Sequence, residues 1–127
     1  MKKPLKVLAL IYDSDRNTIS PSSKYLNPEN ILGSMRKIIG CRYVTCTEIE
    51  VEGKKFDVWS DDEALLVQKP VPNLYISDDL IIFGNLLFAK SDEEGVTVGL
   101  NHYEIRLLWK FISEQFPKLE NYLGRKK

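Results

Sequence analysis

Residues 5–12 form a short apolar run, interrupted by Lys6, that predicts a first strand. Residues 13–26 are polar and rich in turn formers (Asp-Ser-Asp-Arg-Asn, then Ser-Pro-Ser-Ser) and predict a long surface loop, a place where function concentrates in compact domains. Asn27-Pro28-Glu29 is a helix-start signal: a capping amide, a proline suited to the first turn and a carboxylate that complements the dipole. Ile31, Leu32, Met35, Ile38 and Ile39 then share one helical face, and Gly40 is placed to end the helix in a left-handed conformation. Residues 41–51 are enriched in Val, Thr, Tyr and Ile and predict a strand, with Glu52-Gly53 turning it into a return strand over 56–59.

Asp61-Asp62-Glu63 marks another turn before the apolar residues 65–67. Pro70 and Pro72 require an extended or looped path over 69–73. Residues 80–89 are apolar on both faces and predict one central strand covered on both sides. Asp92-Glu93-Glu94-Gly95 reads as a hairpin turn into residues 96–100, and Asn101 with Glu104 matches a capping box. The last helix carries Ile105, Leu107, Leu108, Trp109, Phe111, Ile112 and Phe116, an arc wide enough to point to a subunit interface. Pro117 is expected to end it, leaving a C-terminal turn and tail over 117–127 that frays at Arg125 and beyond. The order predicts a single α+β domain over 1–127: an antiparallel sheet of about five to six strands with two helices packed on it.

Composition narrows the function classes. The 127 residues carry 18 Lys plus Arg against 18 Asp plus Glu, and zero net charge argues against a DNA binder that works by displacing counterions. The zero is a cancellation: residues 1–42 hold 8 basic and 3 acidic side chains, 43–104 hold 4 and 13, and 105–127 hold 6 and 2. A local anion pocket is therefore compatible with overall neutrality. The N-terminal apolar run is too short for a signal peptide and no segment approaches a membrane span, so a cytoplasmic protein with no membrane contact is expected. Cys41 and Cys46 sit at an odd spacing along one expected strand, which favours free thiols over a disulfide. A single histidine and no paired cysteine spacing point away from a metal site.

Catalytic chemistry has little local support. His102 follows a helix cap, where a cationic imidazole is disfavoured, and no nucleophile motif accompanies it. The acidic turns 61–63 and 92–94 lack the spacing of a calcium loop, and Asp78-Asp79 reads as another polar turn. Ligand binding has more. Asn85 lies amid apolar residues and needs a partner, from the backbone or from a ligand. Phe83, Phe88 and Tyr75 offer aromatic faces able to stack a base. Arg106 lies in the first turn of a helix, where a cation is unfavourable unless an anion or a carboxylate compensates it. Lys24 and Arg16, in the expected loop, are further candidate cations.

Three segments carry a resemblance: Asn27-Pro28-Glu29-Asn30-Ile31-Leu32 through Ile39-Gly40, Asp61-Asp62-Glu63-Ala64-Leu65-Leu66 through Pro72-Asn73, and Asp79-Leu80-Ile81-Ile82-Phe83-Gly84-Asn85. They resemble a small domain of unknown function found in phages, plasmids and Gram-positive bacteria, and the chain is similar to the phage anti-Thoeris sponges of that general type. The resemblance implies a non-catalytic protein that acts in the bacterial host cytoplasm. It would sequester a cyclic ADP-ribose isomer, or a related cyclic nucleotide, made by TIR enzymes. It also implies a homo-oligomer, a dimer or larger, and no cofactor. One departure stands out: Leu74 follows Asn73 where the wider domain family carries Arg, so a phosphate contact at that position does not transfer.

Such a ligand needs cations for its phosphates, an aromatic face for its base and amides for its hydroxyls. At an intersubunit pocket, Arg106 and Lys24 would meet phosphates, Asn85, Asn101 or Asn73 hydroxyls, and Phe83 or Tyr75 the base. Two other functions fit the same sequence. A protein-interaction module would bind a host protein through the acidic middle segment and the apolar last helix. A nucleotide hydrolase or cyclase would draw on His102 or Asp79.

Overall fold

A computed structural model describes residues 3–125 except residue 17. Its main sheet has six strands, all pairings antiparallel, in the order β2-β1-β7-β4-β3, with β8 beside β7. These are β1 (Leu5–Asp13), β2 (Thr18–Leu26), β3 (Val44–Val51), β4 (Lys54–Asp61), β7 (Leu86–Ser91) and β8 (Thr97–Val98). A second, two-stranded sheet is formed by β5 (Pro72–Ser77) and β6 (Leu80–Phe83). Helices α1 (Ile31–Ile39) and α2 (His102–Arg125) complete an α+β fold, as the hydrophobic pattern predicts.

The two faces of the main sheet have separate cores because strand side chains alternate. On one face Val7, Ala9, Leu87 and Ala89 pack against Met35 and Ile39 of α1. On the other, Leu8, Leu10, Phe56, Val58, Leu86 and Phe88 meet Ile105, Leu107 and Leu108 of α2, with Leu74 and Ile82 of the small sheet.

The expected surface loop over 13–26 is mostly an edge strand. A turn over residues 14–16 follows β1, and the two strands pair from Leu5↔Leu26 to Asp13↔Thr18. Polar side chains and Pro21 are tolerated because one side of an edge strand needs no partner. The Asp13 carboxylate accepts from the Asp15 and Arg16 N–H groups and so fixes the turn.

The start of α1 also differs. Asn27 accepts from the Glu29 N–H inside a turn, and Asn30 is the true cap, accepting from the Gly33 N–H at 3.2 Å. Gly40 closes the helix at φ 80°, as expected. The strand expected from residue 41 begins at Val44, so Cys41 lies outside it, and both cysteines are free thiols. The β3–β4 hairpin turns at Glu52-Gly53, both at positive φ.

Residues 80–89 are not one strand. Gly84, at φ 78°, breaks the run, sending β6 to the small sheet and β7 to the centre of the large one. Both faces of β7 are buried, so the two-sided covering expected for the whole segment holds for this half.

Pro117 does not end α2. The helix runs unbroken to Arg125 because its second half is anchored: Leu119 is buried and Gln115 Nε2 donates to the Tyr75 carbonyl at 2.9 Å. The tail expected to fray is therefore helical as far as Arg125, and its last two residues lie outside the described chain. The capping box is formed as expected, with Asn101 and Glu104 exchanging side chain-to-backbone hydrogen bonds of 2.8 Å each.

Candidate functional site

The second half of α2 crosses β5 and brings Tyr122, Lys118 and Arg125 beside Tyr75. Lys118, Asn121 and Arg125 recur at helical spacing and share a face. They line an open depression of about 450 Å³ together with Tyr75 of β5. Tyr75 is held firmly. Its hydroxyl donates to Asp78 at 2.7 Å, its ring meets that of Tyr122 with centroids 6.2 Å apart, and Arg125 reaches Asp78 at 3.1 Å. The hydrogen bond to Asp78, together with burial and the Asp78 charge, raises the Tyr75 pKa, so the ring is a neutral phenol at physiological pH. Lys118 and Arg125 stand beside the aromatic face, Arg125 paired with Asp78, and the Asp79 charge also acts on Tyr75, so the charge of the site is mixed.

Tyr75 also lines a smaller recess of about 50 Å³ between β2 and α2, walled by Leu10, Ile19, Pro21, Ile112 and Leu119. Asn73 lies on the same wall. Its Nδ2 donates to the carbonyls of Leu10 (3.1 Å) and Gly84 (2.8 Å), while its buried Oδ1 has no partner among the described residues. An acceptor left in that state costs about 1–3 kcal/mol. The surrounding contacts must offset that cost unless a donor enters.

Of the residues singled out from the sequence, Asn73 and Tyr75 come together here and the others lie elsewhere. Asn85 accepts from the Tyr12 N–H at 2.8 Å and donates to the Ile39 carbonyl at 3.1 Å, so its partners are backbone groups joining β1, α1 and β7. Asn101 is committed to the cap of α2. Phe83 lines a different cleft of about 320 Å³, with Thr45, Thr47, Leu65 and Leu66, and Phe88 is core.

Arg106 is exposed near the start of α2, about 18 Å along the axis from Lys118 at 1.5 Å per residue. Lys24 pairs with Val7, whose side chain faces α1, so register places it on the opposite face of the sheet from α2. Within one chain, Arg106 and Lys24 do not share a pocket. Arg16 is exposed and sits 3.9 Å from Asp13. His102 and Asp79 lie at opposite ends of α2, separated by about 34 Å of helix.

A third depression, of about 570 Å³, gathers Arg36, Lys37 and Arg42 beyond the end of α1. Asp61 and Glu63 share its wall, and Glu63 holds Arg42 at 3.0 Å. Its lining has no aromatic ring, so it suits a phosphate-bearing base less well than the Tyr75 groove.

The sequence pattern does not single out Lys118, Asn121 and Arg125, because Pro117 predicts a helix end before them. Their i, i+3, i+7 spacing, with Leu119 and Tyr122 beside it, is the helical signal that continues past the proline. Among the described residues no three His, Cys, Asp or Glu side chains cluster to hold a metal ion, and no helix is long and apolar enough to cross a membrane. No curated protein and no solved structure matches the chain. A family model described as a domain of unknown function matches residues 11–114, and the chain belongs to that family, DUF3846.

Proposed function

We propose that this protein is a non-catalytic binder of a cyclic ADP-ribose-type nucleotide, a sponge that removes a TIR-derived signal in a bacterial host. The observation that carries the proposal is the Tyr75 groove. It joins an aromatic face, two cations, an exposed amide at Asn121 and a small apolar recess in one place. Those parts match what the ligand presents: a base to stack, worth about 1–3 kcal/mol, and phosphates to pair through charge-assisted hydrogen bonds. Sequestration requires slow release and no bond making. A homo-oligomer belongs to the same proposal, because a second copy would close the open side of the groove.

The test is calorimetry with cyclic ADP-ribose isomers, followed by heat release and chromatography of the ligand. Binding with recovery of unchanged ligand supports a sponge. Recovery of an altered product makes the protein an enzyme, and no heat at micromolar ligand removes the proposal.

One observation favours a protein-interaction module instead. Trp109 and Phe116 lie seven residues apart on α2 and are 45% and 54% exposed, leaving part of its apolar arc uncovered. In that reading the acidic middle segment would supply the charged part of the surface. Loss of partner capture from host lysate in Trp109→Ser, with nucleotide binding absent in both proteins, would favour it.

A further inference from the structure

β3 is an outer strand of the main sheet, and its register fixes which backbone groups face outward. Val51 pairs with Lys54 across the two-residue turn, and the Asp62 N–H donates to the Tyr43 carbonyl at 3.0 Å. Bonding toward β4 therefore falls on alternate residues from Tyr43 to Val51. The N–H and C=O groups of Val44, Cys46, Glu48 and Glu50 point away from the sheet. The opposite outer strand, β2, interrupts its row with Pro21, whereas β3 contains neither proline nor lysine.

The two faces beside this edge differ in chemistry. Cys46 pairs with Trp59 on the α1 face, where Glu48 and Glu50 are exposed. Asp57, hydrogen-bonded by Ser91, stands opposite Glu48, and Lys55 stands opposite Glu50. Three carboxylates there meet one lysine, whose Nζ is 3.8 Å from Glu48. Arg42, before the other end of the strand, is held by Glu63. On the other face Thr45 and Thr47 line the cleft of about 320 Å³ with Leu65, Leu66, Leu80 and Phe83; Asp61 and Asp62 share its lining, and no cation does. Leu65 and Leu66 are 65% and 78% exposed, so part of its apolar wall is uncovered.

We infer that the β3 edge takes an extended peptide as an added strand, one in which basic and apolar side chains alternate. The peptide backbone bonds the outward groups from Val44 to Glu50. Side chains alternate along the added strand, so every second one falls beside Glu48 and Glu50 and the others beside Thr45, Thr47 and the apolar cleft. Charge argues against a second copy of β3 as the occupant, because an antiparallel copy would gather Glu48 and Glu50 of both chains on one face. The inference stands apart from the nucleotide proposal, since no residue lining the Tyr75 groove takes part in it.

The probe is a short peptide alternating lysine and isoleucine, and the readout is amide hydrogen exchange followed by NMR. The peptide should slow exchange at Cys46, Glu48 and Glu50 and leave Thr45, Thr47 and Ile49, already bonded to β4, unchanged. Uniform slowing along β3, or none at millimolar peptide, would overturn the inference. Peptides with glutamate for lysine, or serine for isoleucine, should each bind at least about tenfold more weakly. Equal affinity for either control would overturn it as well. Protection of the same amides without peptide, rising with protein concentration, would make a second copy the occupant and have the same consequence.

Glu48→Pro removes one outward N–H and no bond to β4, so the fold should persist while the lysine peptide binds at least about tenfold more weakly. Unchanged affinity in the folded variant contradicts strand addition. The double variant Glu48→Lys with Glu50→Lys tests the same edge if the proline prevents folding. It should reverse the preference toward the glutamate peptide, and a retained preference for lysine would overturn the inference.

Discussion

Glu104 ties the start of α2 to the sheet, and removing its charge has a calculable cost. The residue is 3% exposed. One carboxylate oxygen accepts from the Asn101 N–H at 2.8 Å, and the other accepts from Lys90 at 2.8 Å with Lys54 at 4.0 Å. Burial, the largest single influence, pushes the carboxyl pKa up. The Lys90 hydrogen bond, the Asn101 N–H and the two lysine charges together outweigh it, so the pKa lies below its ordinary value. Glu104→Gln keeps the acceptor for Asn101 but turns an amide N–H toward Lys90. A charge-assisted hydrogen bond contributes about 1.5–3 kcal/mol. The Lys90 side chain is 31% exposed and can partly rehydrate, which brings the expected loss to about 1–2 kcal/mol.

Glu104→Ala also removes the reciprocal cap, adding about 1 kcal/mol. Urea unfolding at pH 7 measures both losses. The pH dependence supplies a sign. Because the folded pKa is lowered, the carboxylate's contribution is complete above the ordinary value of 4.5 and is lost as pH falls through the lower folded value. Wild type and Glu104→Gln should therefore converge on acidification. Equal stability at pH 7, or a gap that widens toward acid, would refute the reasoning.

Three further outcomes follow from the same geometry. Pro117 lies inside a helix and offers no N–H to the carbonyl four residues earlier, so Pro117→Ala should raise stability by about 2 kcal/mol after allowing for the freer unfolded chain; unchanged or lower stability in urea would mean that α2 is not continuous there. Lys118→Ala and Arg125→Ala should each weaken binding of a cyclic ADP-ribose isomer by about tenfold in calorimetry, whereas Arg106→Ala and Lys24→Ala, which lie off the groove, should leave it within about twofold; the reverse pattern would move the site. Although Cys46 is exposed as a residue, burial of its thiol and then the charge and hydrogen bond of Asp57 push its pKa up to about 11. Iodoacetamide at pH 8 should therefore modify it at least about tenfold more slowly than a free cysteine, because only the thiolate reacts; alkylation at the free-cysteine rate would contradict that shift.

The parts of this fold that could be read from sequence are those whose signal is local. The capping box at Asn101 and Glu104, the glycine ending α1 and the Glu52-Gly53 turn each depend on a few adjacent residues, and each stands where the pattern places it. The errors arise where tertiary contacts override local preference. Thr18–Leu26 has the composition of a loop, yet β1 offers it nine paired positions and the edge side demands nothing. Residues 80–89 are apolar on either side of Gly84 and Asn85, and hydrophobicity alone does not reveal that these two residues divide the segment between two sheets. Asn85 shows the same effect at a single residue, because an amide in an apolar run has the same pattern whether it serves a ligand or the backbone.

Two segments whose local pattern departs from their structure, 18–26 and 117–125, together build the candidate site. The edge strand supplies Ile19 and Pro21, and the helix beyond Pro117 supplies Leu119, Lys118, Asn121 and Arg125. Both contain a proline, which the edge position of β2 tolerates and which α2 accommodates because its second half packs on β5. That explains why local patterns pointed to Arg106 and Lys24, cations in readily recognised settings, while the cations beside the aromatic groove were hidden behind a proline. It also changes what the charge pattern means. The basic C-terminal segment is not a tail attached to a neutral domain. Its helix sets Lys118 and Arg125 against Tyr75 and Asp78, residues of the acidic middle segment. The register of α2 on β5 thereby brings cations of the C-terminal segment beside carboxylates of the middle segment, an arrangement that neither total charge nor segment counts reveal.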